Sequence, residues 1–303
     1  MTTTLVTFES HGQKLAGRLF LPAGRTSAYP PVIIVTGSWL TVKEQMPARY
    51  ASILAAAGFS ALTFDFRGFG ESEGEPREVE SPAAKAEDIL AAVAFLQRYS
   101  TVAGSRIGAL PICASAGYLA VAQATEPAIE SIAMVAPWLH DKAIVEAIYG
   151  GPAGVADRLE RAQVARQRFD ATGAVDYVKA ASNTDPTAAM YWEGDALDYY
   201  LNDKRGAIPE WGGRFALMAW TEWLRFDPIA AAAARITAPT RLITGEQTAT
   251  PGGAKQFSSA MKAPHDMVLL AGTQFDFYDN AATVASAAAA AIEHFRASLG
   301  ASR

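Results

Sequence analysis

Apolar positions along this chain follow two alternating rhythms. Segments 5–8 and 14–20 flank Ser10-His11-Gly12 and predict a hairpin. The run Pro31-Val-Ile-Ile-Val-Thr36 is short, apolar and β-branched, as expected of a strand buried on both faces. Segment 49–57 has helical spacing and closes at Gly58; 60–65 then predicts a strand and 83–99 a helix. Two further strands are predicted over 106–112 and 129–136, the last two over 240–245 and 267–271, and a closing helix over 282–298. Strand and helix alternating through short loops imply an α/β fold, with a mostly parallel central sheet and helices on both faces. The alternation stops between Pro137 and Asp227. That stretch is helical in character, rich in Tyr and Trp, and lies between two strands. It reads as an inserted helical cap over the sheet's C-terminal edge, where such sheets bind ligands. The expected division is a core of 1–136 and 228–303 with a cap of 137–227.

Composition narrows the function. The chain has 303 residues, 50% of them hydrophobic, enough for one large domain with an insertion. Its net charge is −5 with no basic block, which disfavours nucleic acid and anionic membranes as partners and leaves a small-molecule substrate. A homodimer is left open. No apolar run has transmembrane length, and the first residues lack the charged-then-apolar form of a signal peptide. The single cysteine excludes an internal disulfide, and the cytoplasm is the expected compartment. No Cys/His cluster has zinc spacing, and no cofactor or metal is expected.

The chemistry concentrates in Arg106-Ile-Gly-Ala-Leu-Pro-Ile-Cys113-Ala-Ser115-Ala-Gly117-Tyr118. This is a strand, a tight turn and a helix of small residues, the form of a nucleophile elbow. The helix N-terminus aims N–H groups at the nucleophile and favours a thiolate or an oxyanion there. Two frames fit. Small neighbours on both sides favour Ser115; strand length from Arg106 favours Cys113.

Further motifs accompany it. Asp65-Phe-Arg67-Gly68-Phe-Gly70-Glu-Ser72 follows one strand, Thr36-Gly37-Ser38-Trp39 another, and Phe226-Asp227-Pro228 leads back into the core. In this order and at these spacings the chain resembles the α/β-hydrolase superfamily, in its dienelactone-hydrolase-like group. The resemblance covers nearly everything outside the cap. It implies Cys113 as the nucleophile, with Pro111 where Gly is usual. It also implies an oxyanion hole from the N–H of Ala114 and that of Ser38 or Trp39. The usual acid position falls on Gln247, with Glu246 adjacent, and the usual His position on Gln274. A Gln cannot act as a general base.

Of four histidines, His140 alone follows a strand's C-terminal end. It is the candidate base, oriented by Asp141 or Glu246, with a water held by Gln274 as the alternative. Asp65 and Arg67 are expected to pair, and Asp276 and Asp279 to cap the last helix. The cap aromatics Trp138, Tyr149, Tyr191, Trp192, Tyr199, Tyr200, Trp211, Trp220 and Trp223 suit either cap packing or an apolar pocket. Trp138, Tyr191, Trp192 and Trp220 are its expected lining. The leading expectation is a cofactor-free hydrolase of an ester, lactone or thioester of a small hydrophobic or aromatic acid. A non-catalytic ligand-binding relative is the second reading. Lyase, isomerase or decarboxylase chemistry without a covalent intermediate is the third.

Overall fold

The computed structural model describes residues 1–24 and 30–300. β1 (Thr2–Ser10) and β2 (Gln13–Leu21) pair antiparallel about His11-Gly12. β3 (Val32–Thr36), β4 (Ser60–Phe64), β5 (Ile107–Pro111) and β6 (Ser131–Val135) are buried at every residue. These β-branched and apolar runs can only sit between two layers, and α1 (Met46–Ala56), α2 (Pro82–Arg98) and α3 (Ser115–Thr125) supply them.

Past β6 the chain leaves the sheet. It forms α4 (Lys142–Ile148), α5 (Gly151–Thr172), β7 (Tyr177–Lys179), β8 (Ala181–Ser182), β9 (Met190–Tyr191), α6 (Asp198–Leu201), β10 (Arg214–Ala216) and α7 (Trp220–Arg225). The insertion is therefore not wholly helical, as its sequence suggests: β7 pairs with β10 and β8 with β9. The chain re-enters through α8 (Pro228–Ala232). It ends with β11 (Thr240–Thr244), α9 (Pro251–Ala260), β12 (His265–Leu269), α10 (Asp276–Asp279) and α11 (Ala281–Leu299).

The eight strands lie in the order β1-β2-β4-β3-β5-β6-β11-β12. From β4 to β12 neighbours run parallel. Chain order reverses at β3, which has β4 on one side and β5 on the other. The loops leaving β3 and β5 therefore diverge at their C-terminal ends and open a crevice. The Ser38-Trp39 loop and the Cys113 turn are those two loops.

The insertion covers this edge. The Trp211 indole N–H donates to Leu40 O at 2.8 Å and Gln45 Nε2 to Gly206 O at 2.6 Å. Arg205 grips both carboxylate oxygens of Asp279, at 2.6 and 2.7 Å. The expected Asp65–Arg67 pair is not formed. Asp65 takes the buried Lys43 ammonium at 2.7 Å, while Arg67 donates to the buried Asp88 carboxylate, also at 2.7 Å. Asp276 closes the turn at Thr273, and Asn280 caps α11. Among the described residues no helix is long and apolar enough to cross a membrane, and no cluster could hold a metal ion.

Candidate active site

β5 ends at Pro111 and α3 begins at Ser115, so Cys113 occupies the turn between them, with φ +59°. A left-handed backbone costs a non-Gly residue on the order of 1–2 kcal/mol, and it persists only where neighbours over-determine it. Here Cys113 N–H donates to Val135 O at 3.0 Å, and Cys113 O accepts from Trp138 N–H at 2.9 Å. Ser115 lies off the apex, contrary to its candidacy as nucleophile. Its fully buried Oγ accepts from Ile112 N–H and faces the carbonyls of Thr36 and Ile112, all within 3.1 Å. It fastens the turn to the end of β3. Gly117 lets the α3 backbone meet the re-entering chain, since a Cβ there would stand 2.8 Å from the Phe226 ring.

The Cys113 sulfur is buried, with the residue 3% exposed. Burial pushes its thiol up. Four donors oppose that and favour the thiolate: the Ser38 and Tyr278 hydroxyls and the main-chain N–H groups of Ala114 and Trp39. Of the residues expected to line an oxyanion hole, Ala114 and Trp39 turn their N–H groups to the sulfur and Ser38 turns its hydroxyl. The Trp39 loop is held from beneath. Leu40, at φ +62°, donates its N–H to the buried Glu80 carboxylate at 3.0 Å. The same carboxylate accepts from Lys85 at 2.7 Å and from Tyr118, on α3, at 2.5 Å.

Where a His is expected, Gln274 makes a fixed set of bonds. Its Oε1 accepts from Ala249 N–H at 3.0 Å. Its Nε2 donates to Ala136 O at 2.9 Å and to the Tyr278 hydroxyl at 3.1 Å. Tyr278 and Tyr200 each lie 3.0 Å from Ser38 Oγ. Ser38, Tyr200, Tyr278 and Gln274 thus form one connected hydrogen-bond web.

Three expectations fail at this site. Glu246 is exposed and paired with Lys255 at 3.0 Å, so it orients nothing. Asp141 caps α4 through Ile144 N–H rather than serving His140. His140 is buried, but its Nδ1 accepts from the Trp138 indole at 2.8 Å and its ring packs edge-on against Trp223 and Phe226. Burial pushes it down to about 4, against the pull of the Phe226 and Trp223 carbonyls. It is a neutral imidazole whose Nδ1 is taken by the Trp138 indole and whose Nε2 is buried among aromatic rings.

An aromatic wall adjoins the Trp39 loop. Trp39 packs on Phe215, Trp220 and Trp223, with ring centroids 5.1–5.7 Å apart, and the Trp223 indole donates to Tyr149 OH at 2.7 Å. Trp220 belongs to this wall and Trp138 borders it through His140. Tyr191 and Trp192 do not, being 37% and 66% exposed on the outer face. Sequence reading missed Tyr278 and Glu80 as site residues. Tyr278 carried a signal: it stands four residues after Gln274, on one face if that turn is helical.

The chain belongs to the X-Pro dipeptidyl-peptidase (S15) family, whose sequence model matches residues 11–270. It is 29% identical over 260 residues to the uncharacterized protein YcjY of Escherichia coli K12, covering 81% of each chain. It is 32% identical over 129 residues to the thiohydrolase aneE of Aspergillus aculeatus, covering 43% of this chain and 39% of that one. Among solved structures it resembles the α/β hydrolase GrgF from Penicillium sp. sh18, with TM-score 0.83, 20% identity and 99% of each chain covered. Dienelactone hydrolase from Anabaena variabilis aligns with TM-score 0.58 at 13% identity over 98% of each chain. The fold is that of the α/β hydrolases, and the family and its structural neighbours are hydrolases.

Proposed function

We propose that this protein is a cysteine-dependent acyl hydrolase that takes the acyl group of an apolar thioester, or a comparably activated ester, onto Cys113. The observation that carries this reading is the convergence of two main-chain N–H groups, from Ala114 and Trp39, on a sulfur held at a strained elbow. Such a pair is placed to stabilise the oxyanion of a tetrahedral intermediate, and each donor is typically worth about 3 kcal/mol of barrier. Sγ attacks the carbonyl carbon, the bond to the leaving group breaks, and the thiol proton ends on that group. Water then attacks the acyl-enzyme, releasing the acid and returning a proton to Sγ.

Gln274 at the usual His position favours a thiol over a hydroxyl as nucleophile, because a thiol parts with its proton far more readily. It favours a thioester for the matching reason: exchange of one thioester for another is nearly balanced and needs no strong base. The aromatic wall of Trp39, Trp220 and Trp223 suits an apolar acyl chain. The relative described as a thiohydrolase is consistent with this substrate class.

The test uses S-phenyl thiobutyrate with intact-mass detection. The expected result is a butyryl adduct on Cys113 and loss of turnover in Cys113→Ala. Wild-type turnover in Cys113→Ala would end the reading.

A further inference from the structure

We propose that Tyr278 is the proton carrier of this reaction, standing in for the absent histidine, with Gln274 as the residue that aims it. The inference deepens the acyl-hydrolase reading and depends on it. It follows from the polarity of the bonds. Gln274 Oε1 accepts from Ala249 N–H, so the amide is fixed with Nε2 pointing at Ala136 O and Tyr278 OH, at 2.9 and 3.1 Å. An amide nitrogen only donates. The Tyr278 oxygen is therefore the acceptor of that bond, and its single proton is free to point elsewhere. The groups that the Tyr278 hydroxyl faces include Ser38 Oγ, at 3.0 Å, the Tyr200 hydroxyl and the Cys113 sulfur. Tyr200 also reaches Ser38, at 3.0 Å, yet Ser38 and Tyr278 are the side-chain hydroxyls that face the sulfur.

The phenol is fully buried and its acidity lies well below that of an exposed tyrosine, so it works as a neutral shuttle and not as a stored base. In acylation the Cys113 proton passes to the Tyr278 oxygen while the Tyr278 proton passes to the departing sulfur. The new bond is Sγ to carbonyl carbon and the broken bond is carbon to leaving sulfur. In deacylation the attacking water gives a proton to Tyr278, which returns its own to Sγ. Tyr278 ends each half-reaction as it began.

A proton carrier matters most when the leaving group is a poor one. The experiment therefore compares S-ethyl with S-phenyl thiobutyrate, which share one acyl group, in wild type, Tyr278→Phe and Gln274→Glu. Tyr278→Phe keeps the buried volume. We expect it to lose about 10²-fold or more in kcat/KM on the ethyl thioester, in the range general acid–base catalysis supplies. On the phenyl thioester it should lose less than about tenfold, and it should still form the butyryl adduct. Gln274→Glu presents an acceptor to the Tyr278 proton and should reproduce the same leaving-group bias. Equal losses on both substrates, or no loss on the ethyl one, would overturn the role of Tyr278 while leaving Cys113 as nucleophile. Failure of the wild type to form any adduct on Cys113 would overturn the parent reading and this one with it.

Discussion

At the scale of single residues, burial decides what each group can do. Cys113 and His140 are both buried, and burial drives each toward its neutral form, the thiol up and the imidazole down to about 4. For His140 this becomes a stability effect. Its folded value lies below the unfolded value of about 6.5, so the unfolded chain takes up its proton first. The contribution is present above pH 6.5 and is lost as pH falls toward 4, by about 3 kcal/mol. Urea unfolding at pH 7 and pH 4.5 should show a clearly smaller acid loss for His140→Gln than for wild type. An identical acid loss in both proteins would show that the imidazole does not carry it. By the same shift, activity should show no inflection near pH 6.5. The place of Cys113 at the turn was legible in the sequence because strand length is a local signal. The hydroxyl web was not, because Ser38, Tyr200 and Tyr278 come from three segments that only the fold brings together.

At the scale of elements, legibility tracks how locally each element is determined. β3 to β6 are buried runs of five residues and announce themselves. α9 does not: Pro251-Gly-Gly-Ala-Lys-Gln-Phe257 has poor helix formers, and the burial of Ala254 and Phe257 makes it helical. β7 to β10 are two or three residues long, too short to show any period. β12 starts two residues before its expected position, because an edge strand with exposed ends has a weak pattern. The seam between core and insertion has its own titration. Glu78 O accepts from Ala216 N–H on β10 at 3.1 Å, and its carboxylate is tucked against Gly212, where a Cβ would stand 2.0 Å from Oε1. Burial pushes Glu78 up to about 7, with Arg77, Arg214 and Lys85 pulling the other way and Glu80 adding to the rise. A raised carboxylate stabilises the fold below its unfolded value of about 4.5 and loses that contribution as pH climbs to 7. Glu78→Gln should therefore raise Tm at pH 8, by up to about 3 kcal/mol of stability, and change it little at pH 4.5. A gain of equal size at both pH values would count against this account.

At the scale of the whole molecule, the crevice at the β3–β5 switch point is roofed by the insertion, and Cys113 is buried at its floor. The roof is fastened by a few polar ties and one aromatic cluster. Arg205 to Asp279 ties α6 and the loop after it to α10, the element that carries Tyr278, and Trp211 to Leu40 ties the insertion to the oxyanion loop. A substrate reaches Cys113 only if the insertion parts from the core, so opening is a required step of the proposed reaction. The chain has one cysteine, which makes a thiol reagent a direct report of that opening. Labelling by dithionitrobenzoate at pH 8 should be far slower in native protein than in urea-unfolded protein. The Arg205–Asp279 pair is partly exposed, and such pairs contribute on the order of 1 kcal/mol or less to global stability. Arg205→Ala should then leave Tm within a few degrees of wild type. It should nonetheless speed labelling several-fold, because the tie bears on opening more than on unfolding. Labelling of Arg205→Ala at the wild-type rate would show that the aromatic cluster alone sets the opening. Native labelling as fast as in urea would show that the sulfur is open to solvent at rest.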